Sequence, residues 1–511
     1  MDTFRDHHSH NRFHEQHPYA RTKNPRNSKR YCAYIHGTTP SIHRTTFIFT
    51  KNKLKENEKI NVKLIIMHLM HKNIGIAGGG PCGTYIAYQL SKAGHQVTLY
   101  EREEDIGGCW GVQRTTSGAF TEHAPRVVFD NYLNTKEFFK EIGVDFDENF
   151  KKVYSVFQKS FKDAKHFTMW DITALTIAYL YPSIAWNCHT MKSVMDTYNL
   201  SPSAREHITQ LCYAIDGQPP EKLSAMEFFE TLDAIIPSTM YEPKIASTSK
   251  NGIVTKIKEA LKNVNIKTSH TFLKHDPETN IATFSTPQGT ITPQHDKLIV
   301  CIPPEQLAEV YPSMKPIAQK MTYTGIGVQF HYNEATDPKS IPHPNTTTVG
   351  SLRIISSYNE SEHTISCVIL NIDLPTNTNK RQLINMTWKQ LKEAMPKLPK
   401  YTRATVTPTV YKNSQGEWKC RNGAYYRNKN NDTISIHNIP GIAYVGSHNP
   451  RKFPFTSYES AIETAKYFLN ESGLAPKKHI KRPWRVKETI LKAGLLTIGA
   501  MYIARIKNKK R

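Results

Sequence analysis

Three glycines and one acid carry the clearest chemistry in this chain. Gly78-x-Gly80-x-x-Gly83 follows the short apolar run Asn73-Ile74-Gly75-Ile76-Ala77. Gly78 permits a tight turn, Gly80 lets backbone approach a pyrophosphate, and Gly83 allows a helix to pack closely on a strand. The N-terminus of the helix that follows offers N–H donors and a positive dipole end to an anion. Glu101 lies 23 residues after Gly78, where a carboxylate can hold ribose hydroxyls. Together these residues could bind a dinucleotide.

The elements that must position them are legible around the motif. A strand at 73–77, a helix from about Cys82 to Ala93, a turn at Gly94-His95 and a strand at 96–100 form a βαβ unit. Both strands are apolar enough for a buried parallel sheet. Residues 131–235 read as mostly helical, with helices at Thr135–Ile142 and Met191–Tyr198 and another opening at Ser201. Ala174–Trp186 is strongly apolar but too short to span a bilayer, and is read as core or a substrate-domain face. A helix from Gly252 precedes strands at 264–268, 271–274, 281–285 and 297–302. Strands recur near 326–332, 351–355 and 364–372, before a helix at Lys380–Met395.

After Glu101 comes Arg102-Glu103-Glu104-Asp105-Ile106-Gly107-Gly108. This stretch resembles the FAD-binding region of the flavin-containing amine oxidase and phytoene desaturase superfamily, in which a charged turn and a Gly-Gly pair follow the ribose-binding acid. The resemblance implies FAD as cofactor, contacted by Pro81, Cys82, Arg102, Gly107 and Gly108 as well as by the first motif. The family often has Arg after the glycine pair, whereas Cys109-Trp110 stands here, so Cys109 is either a thiol near the flavin or a packing residue. Glu122-His123-Ala124-Pro125-Arg126 lies where family members bring a loop across the isoalloxazine ring, which implies roles for Pro125 and Arg126. By the same analogy Thr271 meets the adenine side.

A distant block supports this reading. Gly441-Ile-Ala-Tyr-Val-Gly446-Ser447 is a strand ending in glycine, and a helix opens at Thr456-Ser457-Tyr458-Glu459-Ser460-Ala461. Thr456 and Glu459 have capping-box spacing. The block looks like the family's C-terminal flavin motif, which implies contacts from Gly446, Ser447, Ser457, Tyr458 and Ala461. Ser447 replaces the commoner acid. Helix N–H groups near the flavin pyrimidine would stabilise negative charge on reduced flavin. The likeness covers about residues 72–470, with its specific motifs at the two ends.

The implied fold class is α/β, a Rossmann-like FAD-binding domain of glutathione-reductase type with an inserted mixed α+β substrate domain. The expected division is a disordered basic extension at 1–66, FAD-binding parts at 67–130, 251–310 and 431–474, a helical substrate segment at 131–250, a substrate sheet and helix at 311–430, and a basic apolar tail at 475–511. The implied activity is removal of a hydride from a small organic substrate, an amine or the C–C bond of an apolar, isoprenoid-like molecule. No second GxGxxG occurs, which disfavours flavin monooxygenases and disulfide reductases. The stretch Thr324–Phe330 lacks the lysine amine oxidases often carry there, and Trp418, Tyr425 and Tyr426 are the candidates for an aromatic cage. No catalytic residue and no metal ligand set is named.

Composition bounds the rest. A chain of 511 residues has room for about three domain equivalents. Its 38% hydrophobic, 10% aromatic and 22% charged residues exclude collagen-like, coiled-coil and fully disordered classes. The net charge of +23 sits at the ends, with +8 in residues 1–66, +11 in residues 475–511 and +4 between. A nucleic-acid partner is therefore not expected. Seven of the 23 histidines precede Thr45, where a solvated tail, a transit peptide, a histidine metal site and a functional start at Met67 or Met70 are alternative readings. No apolar h-region of a signal peptide occurs in residues 1–45, and the eight cysteines contain no CxxC. A cytoplasmic, reducing location is expected. Thr489–Ile506, with Lys492 and Arg505 snorkelling, reads either as a marginal membrane anchor or as a terminal helix docked on the body. The competing function is a non-catalytic flavin-binding protein acting through its basic ends on membrane or nucleic acid.

Overall fold

The computed structural model describes residues 71–153, 167–180, 190–235, 238–333, 336, 350–421, 424–426, 435–436, 439–483 and 485. The basic extension, the end of the Ala174–Trp186 stretch and the C-terminal apolar segment lie outside them. Five parallel strands form the central sheet: β1 (Asn73–Ala77), β2 (Gln96–Tyr100), β3 (Asn265–Lys267), β4 (Lys297–Val300) and β5 (Ile442–Tyr444). Their order is β5-β4-β1-β2-β3. Gly75 pairs with Leu298 on one side and Thr98 on the other. The chain builds outward from β1 first through β2 to β3, then returns to lay β4 and β5 on the opposite side. The switch point between β1 and β4 is where open α/β sheets leave a crevice at their carboxyl ends.

Two helices cover the sheet near that crevice. Helix α1 (Pro81–Lys92) starts with Pro at its first position and buries Cys82 through Leu90. Helix α2 (Tyr458–Ser472) packs beside it and buries Ile462, Ala465, Phe468 and Leu469. The glutathione-reductase-type frame expected from the sequence is thus present. The antiparallel strands Thr271–Asp276, Ile281–Thr286 and Gly289–Ile291 extend its middle part, and Asn280 takes the left-handed conformation in the turn between the first two.

The inserted region is mixed, as expected. Strands Ile354–Asn359, Thr364–Ile369, Ile326–His331 and Arg403–Val406 form one antiparallel sheet in that order. Helix Lys380–Ala394 packs on it through Leu383, Thr387 and Leu391. The strand expected at 351–355 begins three residues later, because Arg353 adopts φ +52° in the preceding turn. Helices Leu133–Glu141, Met191–Thr197, Pro202–Asp216 and Ala225–Ile235 make the helical segment, with Ser201 capping the third. The apolar stretch from Ala174 belongs to a helix, Met169–Leu180. Only part of it is core: Ala174 and Ala178 are buried, whereas Trp170 is 55% exposed and Ile172 and Ile177 also face solvent.

Candidate functional site

The phosphate-loop glycines have three separate physical reasons to be glycine. Gly78 has φ +108°, and a Cβ there would lie 2.6 Å from the Cys301 carbonyl oxygen. A Cβ on Gly83 would come within 1.9 Å of the Gly78 oxygen, so α1 can sit this close to β1 only without a side chain. Gly80 differs: the nearest protein atom to its Cβ position is Gly108 Cα at 3.9 Å. The space that glycine leaves there opens on a cavity, the arrangement an approaching ligand needs.

Glu101 is buried just past β2 and anchors this loop. Its Oε2 accepts the Gly79 N–H at 2.7 Å and its Oε1 accepts the Glu103 N–H at 2.9 Å. Burial raises its carboxyl above the ordinary range, while these two backbone donors pull the other way. Helix α1 has no side chain capping its N-terminus. The N–H groups of Cys82 and Gly83, behind a proline that has none, therefore remain as anion donors. The second glycine pair locks onto the first. Gly107 N–H donates to Gly79 O at 2.8 Å, and a Cβ on Gly108 would strike Gly80 Cα at 2.8 Å.

One cavity of about 360 Å³ joins these parts, a volume typical of small-molecule sites. Gly78, Gly80, Pro81, Cys82, Glu101, Arg102, Gly108, Cys109, Pro125, Arg126, Thr271, Gly446, Ser447, Ser457, Tyr458 and Ala461 line it. Gly83 and Gly107 do not. Gly83 makes the helix–strand contact, and Gly107 supports the loop from behind, where a Cβ would meet Val254 at 2.9 Å. Residues from nearly 400 positions apart in sequence thus meet in one space.

The cap of α2 is corrected by the structure. Ser457, not Thr456, is the N-cap, and its partner is Ser460. Ser460 Oγ also donates to Ser447 Oγ at 3.1 Å, which ties the β5 turn to the helix start. Glu459 faces away from that cap. Its carboxylate accepts four hydrogen bonds, from the backbone N–H and side chain of both Asn134 and Thr135. It caps the helix Leu133–Glu141 instead.

Arg126 is held by more than the cavity. It pairs with Glu122 at 3.3 Å, both side chains being buried, and donates to Gly111 O at 2.7 Å. Its guanidinium also lies over the Trp110 ring. The Glu122–Arg126 pair therefore braces the Cys109–Gly111 turn against the loop expected to cross the cofactor. His123 lines the cavity from the same loop, and burial beside Arg126 pushes its pKa down to about 3, so it is neutral.

Several lining residues carried no motif in the sequence. His448 stacks on Tyr444 at 3.8 Å between ring centroids, and burial likewise lowers its pKa to about 3. Cys301, just after β4, lines the same cavity as Cys82. At the far end the lining becomes apolar, with Tyr213, Ile215, Ile235, Met240, Ile355, Val368 and Leu370. These come from helices Pro202–Asp216 and Ala225–Ile235, from the start of the strand Met240–Pro243, and from the four-stranded antiparallel sheet and the residue after its strand Thr364–Ile369. Such sites are visible only once tertiary contacts are known. Of the three candidates for an aromatic cage, Trp418 is buried in the core of the inserted sheet, under Lys412, and does not line the cavity. Tyr425 and Tyr426 lie on a strand paired with Thr322–Thr324.

Residues 76–142 match the family model described as an NAD(P)-binding Rossmann-like domain. The chain carries a Rossmann-like dinucleotide-binding domain. Its fold beyond that domain is shared with solved oxidase structures. Putrescine oxidase bound to putrescine superposes with a TM-score of 0.54 at 13% identity, covering 79% of this chain and 99% of that one. Cyclohexylamine oxidase from Brevibacterium oxydans IH-35A gives 0.51 at 12% identity, with 77% and 97% covered. Curated relatives match over short stretches. The 15-cis-phytoene desaturase of Synechococcus elongatus is 32% identical over 72 residues, 14% of this chain and 15% of the desaturase. The glutamate synthase small chain of Mycobacterium tuberculosis is 48% identical over 40 residues, 8% of each chain. The Rossmann-like domain, the shared oxidase fold and the desaturase match agree with the superfamily resemblance read from the sequence.

Proposed function

We propose that this chain is an FAD-dependent oxidoreductase that removes a hydride from a small organic substrate whose reacting part is apolar. The observation that carries this reading is the continuity of the cavity. Its dinucleotide wall, from Gly80 and Glu101, opens without interruption into the chamber lined by Tyr213, Ile355, Val368 and Leu370. Bound FAD would supply a two-electron acceptor at the junction. The first turn of α1 would hold its pyrophosphate and Glu101 its ribose, with the start of α2 beside the ring. The apolar chamber excludes water from the reacting carbon. Neutral His123 and His448 present imidazoles without charge, which suits an uncharged substrate better than an ammonium.

Tyr213, Val368 and Leu370 form one apolar cluster there with buried Ala124. An apolar C–C or neutral amine substrate is favoured on that ground over a charged polyamine. The purified protein should be yellow, or turn yellow with added FAD, with flavin absorption in the visible. Anaerobic bleaching by apolar alkenes and isoprenoid-like hydrocarbons, and not by diamines, is the expected outcome. A colourless protein that takes up no FAD overturns the reading. Among the described residues no helix is long and apolar enough to cross a membrane. We further propose that the basic, apolar segment 489–511 meets an anionic membrane surface.

A further inference from the structure

We propose that Cys82 and Cys301 are a redox-active dithiol in the wall of the dinucleotide cavity, which hydrogen peroxide closes to an intramolecular disulfide. Both are free cysteines that line the cavity. They come from the two elements that flank the switch point. Cys82 is the second residue of α1, and its thiol donates to the Val445 carbonyl oxygen at 3.5 Å. Cys301 directly follows β4 and is fixed by its N–H bond to Ala77 O at 2.7 Å. Val445, whose carbonyl accepts the Cys82 thiol, donates its own N–H at 2.8 Å to the oxygen of Val300, the residue before Cys301, so the Cys82 thiol is held against the strand end that carries Cys301. The elements behind them are also in contact, since a Cβ on Gly83 would lie 3.5 Å from Cys301 Cβ. Thiols on two touching elements can bond where their Cα atoms lie within about 7 Å.

The chemistry balances with peroxide as the oxidant. One sulfur, as thiolate, attacks an oxygen of hydrogen peroxide, breaking the O–O bond and giving a sulfenic acid and one water. The second thiol displaces the sulfenic oxygen as a second water and forms the S–S bond. Two electrons pass from the thiols to peroxide. Burial raises the Cys301 thiol well above its ordinary value, so the pair reacts slowly.

The disulfide would draw the first turn of α1 toward β4 and re-aim the N–H groups of residues 82 and 83. A dinucleotide in the cavity would cover both sulfurs. Whatever factor the disulfide takes from dinucleotide affinity, the bound dinucleotide must take from disulfide formation. The dithiol itself stands on geometry alone; only the choice of FAD as probe rests on the proposed function.

The test uses the full chain stripped of flavin, treated with millimolar peroxide, alkylated and peptide-mapped by mass spectrometry, with FAD binding followed by flavin fluorescence. The expected result is a Cys82–Cys301 linked peptide and FAD binding weakened at least tenfold, both reversed by dithiothreitol. Preloading with FAD should slow the linkage by at least tenfold. Cys301→Ser should show neither linkage nor peroxide sensitivity, and Cys301→Ala repeats that test should the serine variant fold poorly. Cys109→Ser, which removes the other cavity thiol, should keep both effects. Absence of the linked peptide, or a linked peptide with FAD affinity unchanged, overturns the proposal. A reduced protein that binds no FAD overturns the flavin reading instead, and the linked peptide then decides the dithiol.

Discussion

Glu242, on the strand Met240–Pro243 behind the apolar chamber, is 4% exposed. Burial pushes its pKa from 4.5 up to about 7, with Glu122 adding to the rise and Lys151 opposing it. Below pH 4.5 the group is protonated folded and unfolded, and contributes no pH dependence. Between 4.5 and 7 the unfolded chain ionises while the folded one keeps its proton, so stability falls as pH rises. The loss is about 1.4 kcal/mol per pH unit and reaches about 3 kcal/mol above pH 7. Glu242→Gln should therefore match the parent in urea denaturation near pH 4.5 and exceed it by about 3 kcal/mol at pH 8. An advantage that is the same at both pH values would refute the assignment. Nothing in the sequence marks Glu242, because its environment is built by strands from three separate segments. Glu101 was legible for the opposite reason: its position depends on one local βαβ unit.

At the scale of elements, the start of α2 shows where local pattern stops being decisive. Thr456-x-x-Glu459 and Ser457-x-x-Ser460 are overlapping cap patterns one residue apart. The chain uses the second, because Glu459 is drawn to the helix Leu133–Glu141, whose own N-cap, Tyr132, has no capping side chain. That carboxylate lies at the positive end of the helix dipole and accepts four bonds while 1% exposed. Glu459→Ala strands four buried donors, and should cost about 3–5 kcal/mol by analogy with breaking a buried charged network. Ser457→Ala removes a single ordinary cap and should cost about 1 kcal/mol. Equal losses for the two variants in denaturant titrations would show that the long-range cap contributes nothing special. The same contrast explains what was readable. Helices and strands with local signals fell within a few residues of expectation, as at Gln96–Tyr100, Pro202–Asp216 and Lys380–Ala394. The helix Leu133–Glu141 starts two residues before the expected Thr135, with its cap more than 300 residues away. The apolar end of the cavity was unreadable because its side chains come from helices and a sheet whose packing no local pattern records.

At the scale of the molecule, the basic C-terminal region is two different things. Residues 474–481 are strapped to the body by side chains that read their backbone. Leu474 O bonds His95 Nε2 at 2.6 Å, and Asn470 takes both the N–H and the carbonyl of Lys478. Asn134 does the same for Lys481, while buried Lys466 donates to His479 O at 3.1 Å. Lys466 also bridges to Glu137 at 2.6 Å, and the Lys478 ammonium pairs with Glu141. Part of the positive charge at this end therefore neutralises acids of the helix Leu133–Glu141 and is not available to a partner. The charge beyond residue 485, around the apolar run, lies outside the described residues. Two truncations separate these roles. Deleting residues 486–511 should leave the thermal midpoint and FAD uptake unchanged and abolish co-sedimentation with vesicles containing anionic phospholipid. Deleting residues 474–511 should also lower the midpoint by several degrees, because the Lys466 and Asn134 side chains lose buried partners at about 1–3 kcal/mol for each group left unsatisfied. Vesicle binding that survives the shorter deletion would place the membrane contact elsewhere, with the exposed Trp170, Ile172 and Ile177 face of the helix Met169–Leu180 the first region to substitute.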